Sequence, residues 1–380
     1  MRRHWFDWAA TAIPQQDEQT NALKRALAFR GNPSSPHSEG QAAKAFLEEQ
    51  RTHAARTLSV PPAELYMTSG ATEANQIVLY SLLSREKHSA LLTSHAEHPS
   101  TKAAARVLER SGYPVFRVQL DEYGRVDTEA LIELIETEHA IRMVTLMAVQ
   151  NETGSLNPLE EIIPALRKAA ASRANSLHIH CDAVQGIGKI PFNPTALDLD
   201  SMSLSAHKLG GPRGAGLLWC RKMIESIFSG GGQERGLRGG TENLFAAAGM
   251  RVALERSLDP AKIETAYQRA CSNERMILQN LPPTLSVFPA KRSLRDTVFS
   301  PFIISLKHRD LPAEAVVRLL DAQGISISSS SACSSAKGRR EVLEALGLRG
   351  EEALKVFRIS TGPDTDSEDI EALLAALQKL

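Results

Sequence analysis

The sequence predicts an α/β protein built on a mainly parallel sheet flanked by helices, with a smaller α+β domain beside it, and three observations carry that expectation. From Leu65 to Asp182, short apolar runs of strand length alternate with longer runs of helical spacing, the pattern of βαβ units. Several strand-like runs then end on polar or charged residues, among them Asp182 and the Ser205-Ala206-His207-Lys208 stretch, at the end where open α/β sheets place ligands. Finally, 380 residues exceed the usual size of one core. The expected division is a large domain over 16–251 and a small one made of 1–15 with 252–380.

In chain order, Asp7 to Pro14 reads as extended, and Glu18 to Phe29 has helical spacing up to the Gly- and Pro-rich loop at 31–37. A second helix over Ser38–Leu58 leads into a short strand at Leu65–Thr68. Ser69-Gly70-Ala71-Thr72-Glu73 then opens an apolar-periodic helix, so free N–H groups at its start are placed to hold a phosphate, with an ordinary cap as the alternative. Strands at Ala90–Thr93, Val115–Leu120, Arg142–Val149 and Leu177–Asp182 alternate with helices at Thr101–Arg110, Thr128–Glu136 and Leu159–Arg173. After the strand ending at Ser205, the small or rigid residues Gly210, Gly211, Pro212, Gly214 and Gly216 stop regular structure just beyond Lys208. A helix over Leu244–Leu258 leads into the second region, and no dinucleotide or P-loop glycine pattern occurs along the first.

Composition narrows the partners. Lys and Arg number 44 and so do Asp and Glu, without long single-sign runs, which argues against a nucleic-acid or membrane surface and for a small-molecule partner. Four cysteines (Cys181, Cys220, Cys271, Cys333) lie far apart, which speaks against a disulfide framework or a zinc ribbon and for reduced thiols in a cytoplasmic setting. No apolar run approaches the length of a membrane helix.

Lys208 at a strand end can act as an amine nucleophile toward a carbonyl, because partial desolvation lowers a lysine's pKa. His178, His180 and Asp182 share one face of a strand. They allow a metal-ligand set, although Ala183 stands where a further histidine would be wanted. They also allow plain buried polar residues. In a third reading Asp182 alone supplies the carboxylate that a pyridinium nitrogen needs, since pyridoxal phosphate is an electron sink only while that nitrogen is protonated. Gln185 then reaches the ring's phenolic oxygen. His98, at a strand-to-helix junction, can stack on a flat ring or shuttle a proton, and the amide of Asn151 can bind a ligand oxygen. Cys333, in the small polar stretch Ser328–Gly338, looks like a nucleophile helped by Lys337, Arg339 and Arg340, and Arg358 on a strand suits a carboxylate.

Taken together these segments resemble the cysteine desulfurases, pyridoxal-phosphate enzymes of aminotransferase class V with the fold-type-I architecture. The motifs are D-x-A-A-T (Asp7 to Thr11), N-P-S-S-x-H-x-x-G (Asn32 to Gly40), S-G-A-T-E-A-N (Ser69 to Asn75), E-H (Glu97, His98) and N-E-x-G (Asn151 to Gly154). They continue with D-A-x-Q (Asp182 to Gln185), S-x-H-K (Ser205 to Lys208), G-G-G-Q-E-R-G-L-R (Gly230 to Arg238), S-A-C-S-S (Ser331 to Ser335) and R-x-S (Arg358 to Ser360). The resemblance implies that Lys208 holds the cofactor through a Schiff base, that Asp182 and Gln185 hold its ring nitrogen and phenolic oxygen, and that His98 stacks on it. Ala71, Thr72, Ser205 and His207 would contact the phosphate, joined by Thr241 from the neighbouring subunit of a homodimer. Asn151 and Arg358 would bind the substrate L-cysteine, and Cys333 would accept its sulfur as a persulfide, releasing alanine and passing sulfur to an acceptor such as an iron–sulfur scaffold protein. Three departures stand out: Trp8 where Asn is usual, Gly240 where Ser often stands, and the basic run Lys337-Gly338-Arg339-Arg340, which bears on acceptor docking. Competing expectations are a selenocysteine lyase or another class V aminotransferase, a metallohydrolase on His178, His180 and Asp182, and a non-catalytic scaffold.

Overall fold

The computed structural model describes residues 2–171, 173, 176–294, 297–329 and 340–380. Its elements are β1 (His4–Trp5), α1 (Gln16–Leu27), α2 (Ser38–Thr57), β2 (Leu65–Thr68), α3 (Ala71–Tyr80), β3 (Ala90–Ser94), α4 (Pro99–Arg110), β4 (Val115–Val118), α5 (Thr128–Thr137), β5 (Ile141–Met147), α6 (Leu159–Ala170), β6 (His178–Asp182), β7 (Ser201–Ser205) and β8 (Gly216–Cys220). They continue as α7 (Leu244–Ser257), α8 (Pro260–Gln279), β9 (Leu285–Phe288), β10 (Ile303–His308), α9 (Ala313–Asp321), β11 (Ile325–Ser326), α10 (Glu341–Ala345), α11 (Glu351–Leu354), β12 (Val356–Ser360) and α12 (Ser367–Leu377).

The large sheet has seven strands in the order β2-β8-β7-β6-β5-β3-β4. The pairs from β7 through β6, β5 and β3 to β4 are parallel, and β8 runs antiparallel to both β7 and β2. That exception has a simple cause. The link from β7 to β8 is the short Gly- and Pro-rich stretch after Lys208, too short for a helical crossover, so the chain must turn back antiparallel. Helices cover both faces, and every residue of β3, β6, β7 and β8 is buried. β3 and β8 are apolar through most of their length, whereas β7 buries three serines and β6 buries His178, His180 and Asp182, whose polar atoms therefore need partners inside the protein.

Helix starts follow local chemistry. The Asp127 carboxylate accepts from Ala130 N ahead of α5, the Asn243 side chain accepts from Ala246 N ahead of α7, and Asp366 and Asp369 form a capping box on α12. A three-stranded antiparallel sheet, β12-β10-β9, and the parallel pair β1–β11 form the remainder. The opening residues belong to this part: Phe6 is fully buried with Ile304, Phe357, Ile359 and Ile370.

One buried ion pair fixes the glycine-rich segment after β8. Glu234, at φ +45°, accepts from Arg51 Nη1 (2.7 Å) and Nη2 (2.8 Å) and from Met67 N (2.8 Å). Both side chains are almost wholly removed from solvent. Glu234→Ala leaves the buried guanidinium with only the more exposed Glu48 carboxylate and Leu65 O as partners, so it should cost about 3 kcal/mol in a urea melt. A loss below about 1 kcal/mol would show that the segment is held elsewhere.

Candidate active site

A cavity of about 620 Å³ opens at the carboxyl ends of the central strands, within the usual range for a small-molecule site. Lys208 reaches it from a single turn, Ala206–Leu209, that follows β7 and is closed by Gly210 at φ +78°, a backbone conformation that suits glycine. Lys208 Nζ donates to Ala9 O (2.6 Å) and Ala10 O (2.8 Å), so the opening segment lies directly over the lysine turn. The same segment is tied down by Ala12 N donating to His207 O (2.8 Å) and Ala9 N donating to Ser360 Oγ (2.9 Å). His207 lines the cavity as well. Burial, then the charges of Lys208, Arg213 and Lys189, push its imidazole down to about 4, so it is neutral at physiological pH.

Asp182 ends β6 and accepts through Oδ2 from Asn75 Nδ2 (3.0 Å) and through Oδ1 from Val184 N (3.2 Å). His98 caps α4, its Nδ1 accepting from Ser100 N (3.1 Å), and burial lowers its pKa against the opposing charge of Asp182. Gln185 lines the wall with its amide nitrogen on Ala9 O (2.8 Å) and its Oε1 accepting from Lys189 Nζ (2.6 Å). Burial, with Lys208 and Arg358 nearby, pushes the Lys189 ammonium down to about 7. Ala71 and Thr72 line the opposite end at the start of α3, together with Ser205. Arg358 enters from β12, donating through Nη1 to Asn151 O (2.7 Å) and through Nη2 to Asp7 Oδ1 (2.8 Å).

The sequence-predicted residues are thus brought together with two exceptions. Thr241 is exposed and does not line this cavity. Cys333 lies outside the described residues, as do Lys337 and Arg339. Two expectations are corrected. Arg340 is no surface cation beside the thiol: it is buried and donates to Ala353 O, Val356 O (2.7 Å) and Ser329 O (3.1 Å), tying itself to Ser329. The metal-ligand reading of His178 and His180 also fails on geometry. Both rings bond Ser201 Oγ (2.7 and 2.8 Å), and the second nitrogen of His180 is taken by Asn75 Oδ1 (3.0 Å). Among the described residues no cluster of His, Cys, Asp and Glu is arranged for a metal.

Trp8, the departure in the opening motif, is buried with its ring flat against Gly362, where an added Cβ would fall 2.1 Å from the indole. Sequence reading missed Asp7, Asn75 and Glu97 as site-shaping groups, although all three stand inside the motifs it used. Glu97 is the least expected. It is buried, its Oε1 accepting from Ser94 Oγ (2.9 Å) and Met147 N (3.1 Å), and burial, followed in the same direction by the Asp182 charge, pushes its pKa up to about 8. A carboxyl whose pKa rises on folding from 4.5 to about 8 costs nothing below pH 4.5 and destabilises increasingly as pH climbs through about 8. Glu97→Gln keeps the acceptor and removes the titration, so it should match the wild type in melting temperature near pH 5 and exceed it near pH 9, by a few kcal/mol of stability. Parallel pH profiles for the two proteins would contradict this.

Comparison with known proteins gives the same picture. The Aminotransferase class-V family profile matches residues 4–373, and the chain belongs to that family. Curated relatives include cysteine desulfurases, for example one from Enterobacter agglomerans that is 34% identical over 90% of this chain and 84% of its own length. Among solved structures, a NifS-like protein superposes with a TM-score of 0.87 at 29% identity, covering 99% of this chain and 98% of the other. A second, described as SspA in complex with cysteine, has a TM-score of 0.79 at 27% identity and covers 95% and 99%. The protein is a homologue of the cysteine desulfurases across nearly its whole length.

Proposed function

We propose that the chain binds pyridoxal phosphate in this cavity and converts L-cysteine to L-alanine, moving the sulfur first to Cys333 and then to an acceptor. The observation that carries the reading is the convergence of an amine (Lys208), a buried carboxylate (Asp182) and a buried guanidinium (Arg358) on one cavity of suitable size. The residues present fit the cofactor. Its phosphate suits the α3 start at Ala71 and Thr72 with Ser205 and His207, all of which line the cavity and carry N–H or O–H groups. His98 and Asp182 both line the cavity, where the imidazole would stack on the ring and the carboxylate would hold its nitrogen. When bound, pyridoxal phosphate supplies the electron sink that weakens bonds at the substrate's α-carbon.

The chain's own groups do the rest. Lys208 presents its amine to the cofactor aldehyde and moves protons at the substrate carbon. Asp182 favours a protonated ring nitrogen, and the second amide hydrogen of Gln185 is free for the phenolic oxygen while the first stays on Ala9 O. Arg358 takes the substrate carboxylate, with Asn151 beside it, and Asp7 holds the guanidinium in place meanwhile. Cys333 attacks the substrate sulfur: the Cβ–S bond breaks, an S–S bond forms on the enzyme, and the carbon leaves as alanine after gaining a proton. The exposed Thr241 is consistent with a homodimer in which Thr241 of the partner subunit completes the phosphate site. The acceptor belongs to the iron–sulfur or thio-cofactor assembly class.

Supplying the purified protein with L-cysteine and a thiol reductant should give alanine and sulfide in equal amounts. Pyruvate in place of alanine, or neither product, would overturn the reading.

A further inference from the structure

The hydrogen-bond partners behind Asp182 constrain where the side-chain hydrogens of Asn75, His180 and Ser201 sit. A carboxylate only accepts, so the atom of Asn75 that faces Asp182 Oδ2 at 3.0 Å must be its amide nitrogen, and its oxygen must face His180 Nε2 at 3.0 Å. His180 therefore carries its proton on Nε2. The ring is neutral, because burial and the neighbouring His178 push its pKa down to about 3, and its Nδ1 is then a lone pair that accepts from Ser201 Oγ (2.8 Å). With its hydrogen committed, Ser201 Oγ accepts from Nε2–H of His178 (2.7 Å), a ring that burial likewise lowers to about 4. The chain of donors runs in one direction, from β6 to β7, back to β6, across to α3, and onto the carboxylate.

The second hydrogen of Asn75 has a destination too. It points to Ser100 Oγ (3.2 Å), whose own hydrogen goes to His98 Nδ1 (2.8 Å), where Ser100 N also donates (3.1 Å). Two donors on Nδ1 leave Nε2 as the protonated nitrogen of His98. Asn75 is fully buried and does not line the cavity, so it acts on the site only through these partners.

We propose that Asn75 is the positioning residue of the site: one N–H holds the Asp182 carboxylate, the other holds His98 through Ser100, and the carboxylate and the imidazole that line the cavity are thereby fixed as a single unit. His98 then enters the reaction as an N–H donor at Nε2 and not as a base. The Asp182 carboxylate sets which way Asn75 faces, since a flipped amide would place its oxygen against it, and the Asn75 oxygen in turn sets the Nε2–H tautomer of His180, with Ser201 and His178 following in the same direction. The inference rests on the reading that pyridoxal phosphate occupies this cavity.

The test has two measurements on the full-length protein. Heteronuclear NMR of the imidazole nitrogens in the wild type should show His98, His178 and His180 each as the neutral Nε2–H tautomer, with or without cofactor. An Nδ1–H tautomer, or an imidazolium near neutral pH, at His98 or His180 overturns the proposal whether or not any variant folds. Asn75→Leu, of similar volume but without hydrogen bonds, should leave His180 in mixed tautomers and weaken binding of added pyridoxal phosphate by about tenfold or more, the scale of losing a hydrogen bond to a charged group. A folded Asn75→Leu that binds within twofold of the wild type also overturns it. A wild type with the assigned tautomers that takes up no pyridoxal phosphate would instead overturn the cofactor reading, and with it the role given to Asn75.

Discussion

Lys208→Ala is expected to yield a folded protein that no longer holds pyridoxal phosphate covalently, lacks its visible absorption, and turns over L-cysteine at least about a thousandfold more slowly. The lysine stands on a one-turn segment pinned from several sides: Gly210 closes the turn, His207 O accepts from Ala12 N, and the turn's residues are largely buried. Removing the side chain therefore takes away the amine without dismantling its support, and stability should change by less than about 2 kcal/mol. No other described amine substitutes well. Lys189, the nearest by its influence on the site, has its Nζ committed to Gln185 Oε1 at 2.6 Å. Absorption spectra of the dialysed variant, with its melting curve as control, decide the matter: a variant that stays coloured after dialysis and retains more than a tenth of the activity would remove Lys208 from its role.

Cys333→Ser should keep the colour and the spectral change on adding L-cysteine, while alanine and sulfide formation fall by several orders of magnitude. A hydroxyl stays protonated near neutral pH and attacks sulfur poorly, whereas a thiolate is the competent nucleophile. The structure strengthens this by what it does to the other three thiols. Burial pushes Cys181 well above its ordinary pKa, pushes Cys220 up to about 12, and raises Cys271, so none of them supplies thiolate at neutral pH. Ser328, Ser329 and Arg340, described residues on either side of Cys333, are also joined beside Arg358. Ser328 pairs its backbone with that of Arg358 in both directions, and Arg340 bonds Ser329 O. Mass spectrometry after exposure to L-cysteine should find one added sulfur on the Cys333 peptide. Its appearance on Cys181, Cys220 or Cys271 would refute the assignment.

The sequence by itself determined what is periodic and what is local. Alternating apolar runs specify a mainly parallel sheet with helices on both faces, because burial on two faces favours mainly apolar strands. Chain breaks specify where strands stop and reactive groups stand, which is why Lys208, Asp182, His98, Asn151 and Arg358 could be named before any of them was placed in one cavity. Tertiary structure alone decided the pairings between residues distant in sequence. Asp7 meets Arg358 across 351 positions and Asn75 meets Asp182 across 107, and no pattern of period two or 3.6 encodes such contacts. It also decided protonation. Glu97 looks like a charged acid and His178 like a metal ligand in the sequence, yet burial raises the carboxyl to about 8 and lowers the imidazole to about 4, since desolvation depends on what surrounds a group and not on its neighbours along the chain. Arg340 gives the same lesson in reverse: one more positive charge in a basic run by sequence, it became a buried tie between backbone carbonyls because the fold brought three C=O groups within its reach.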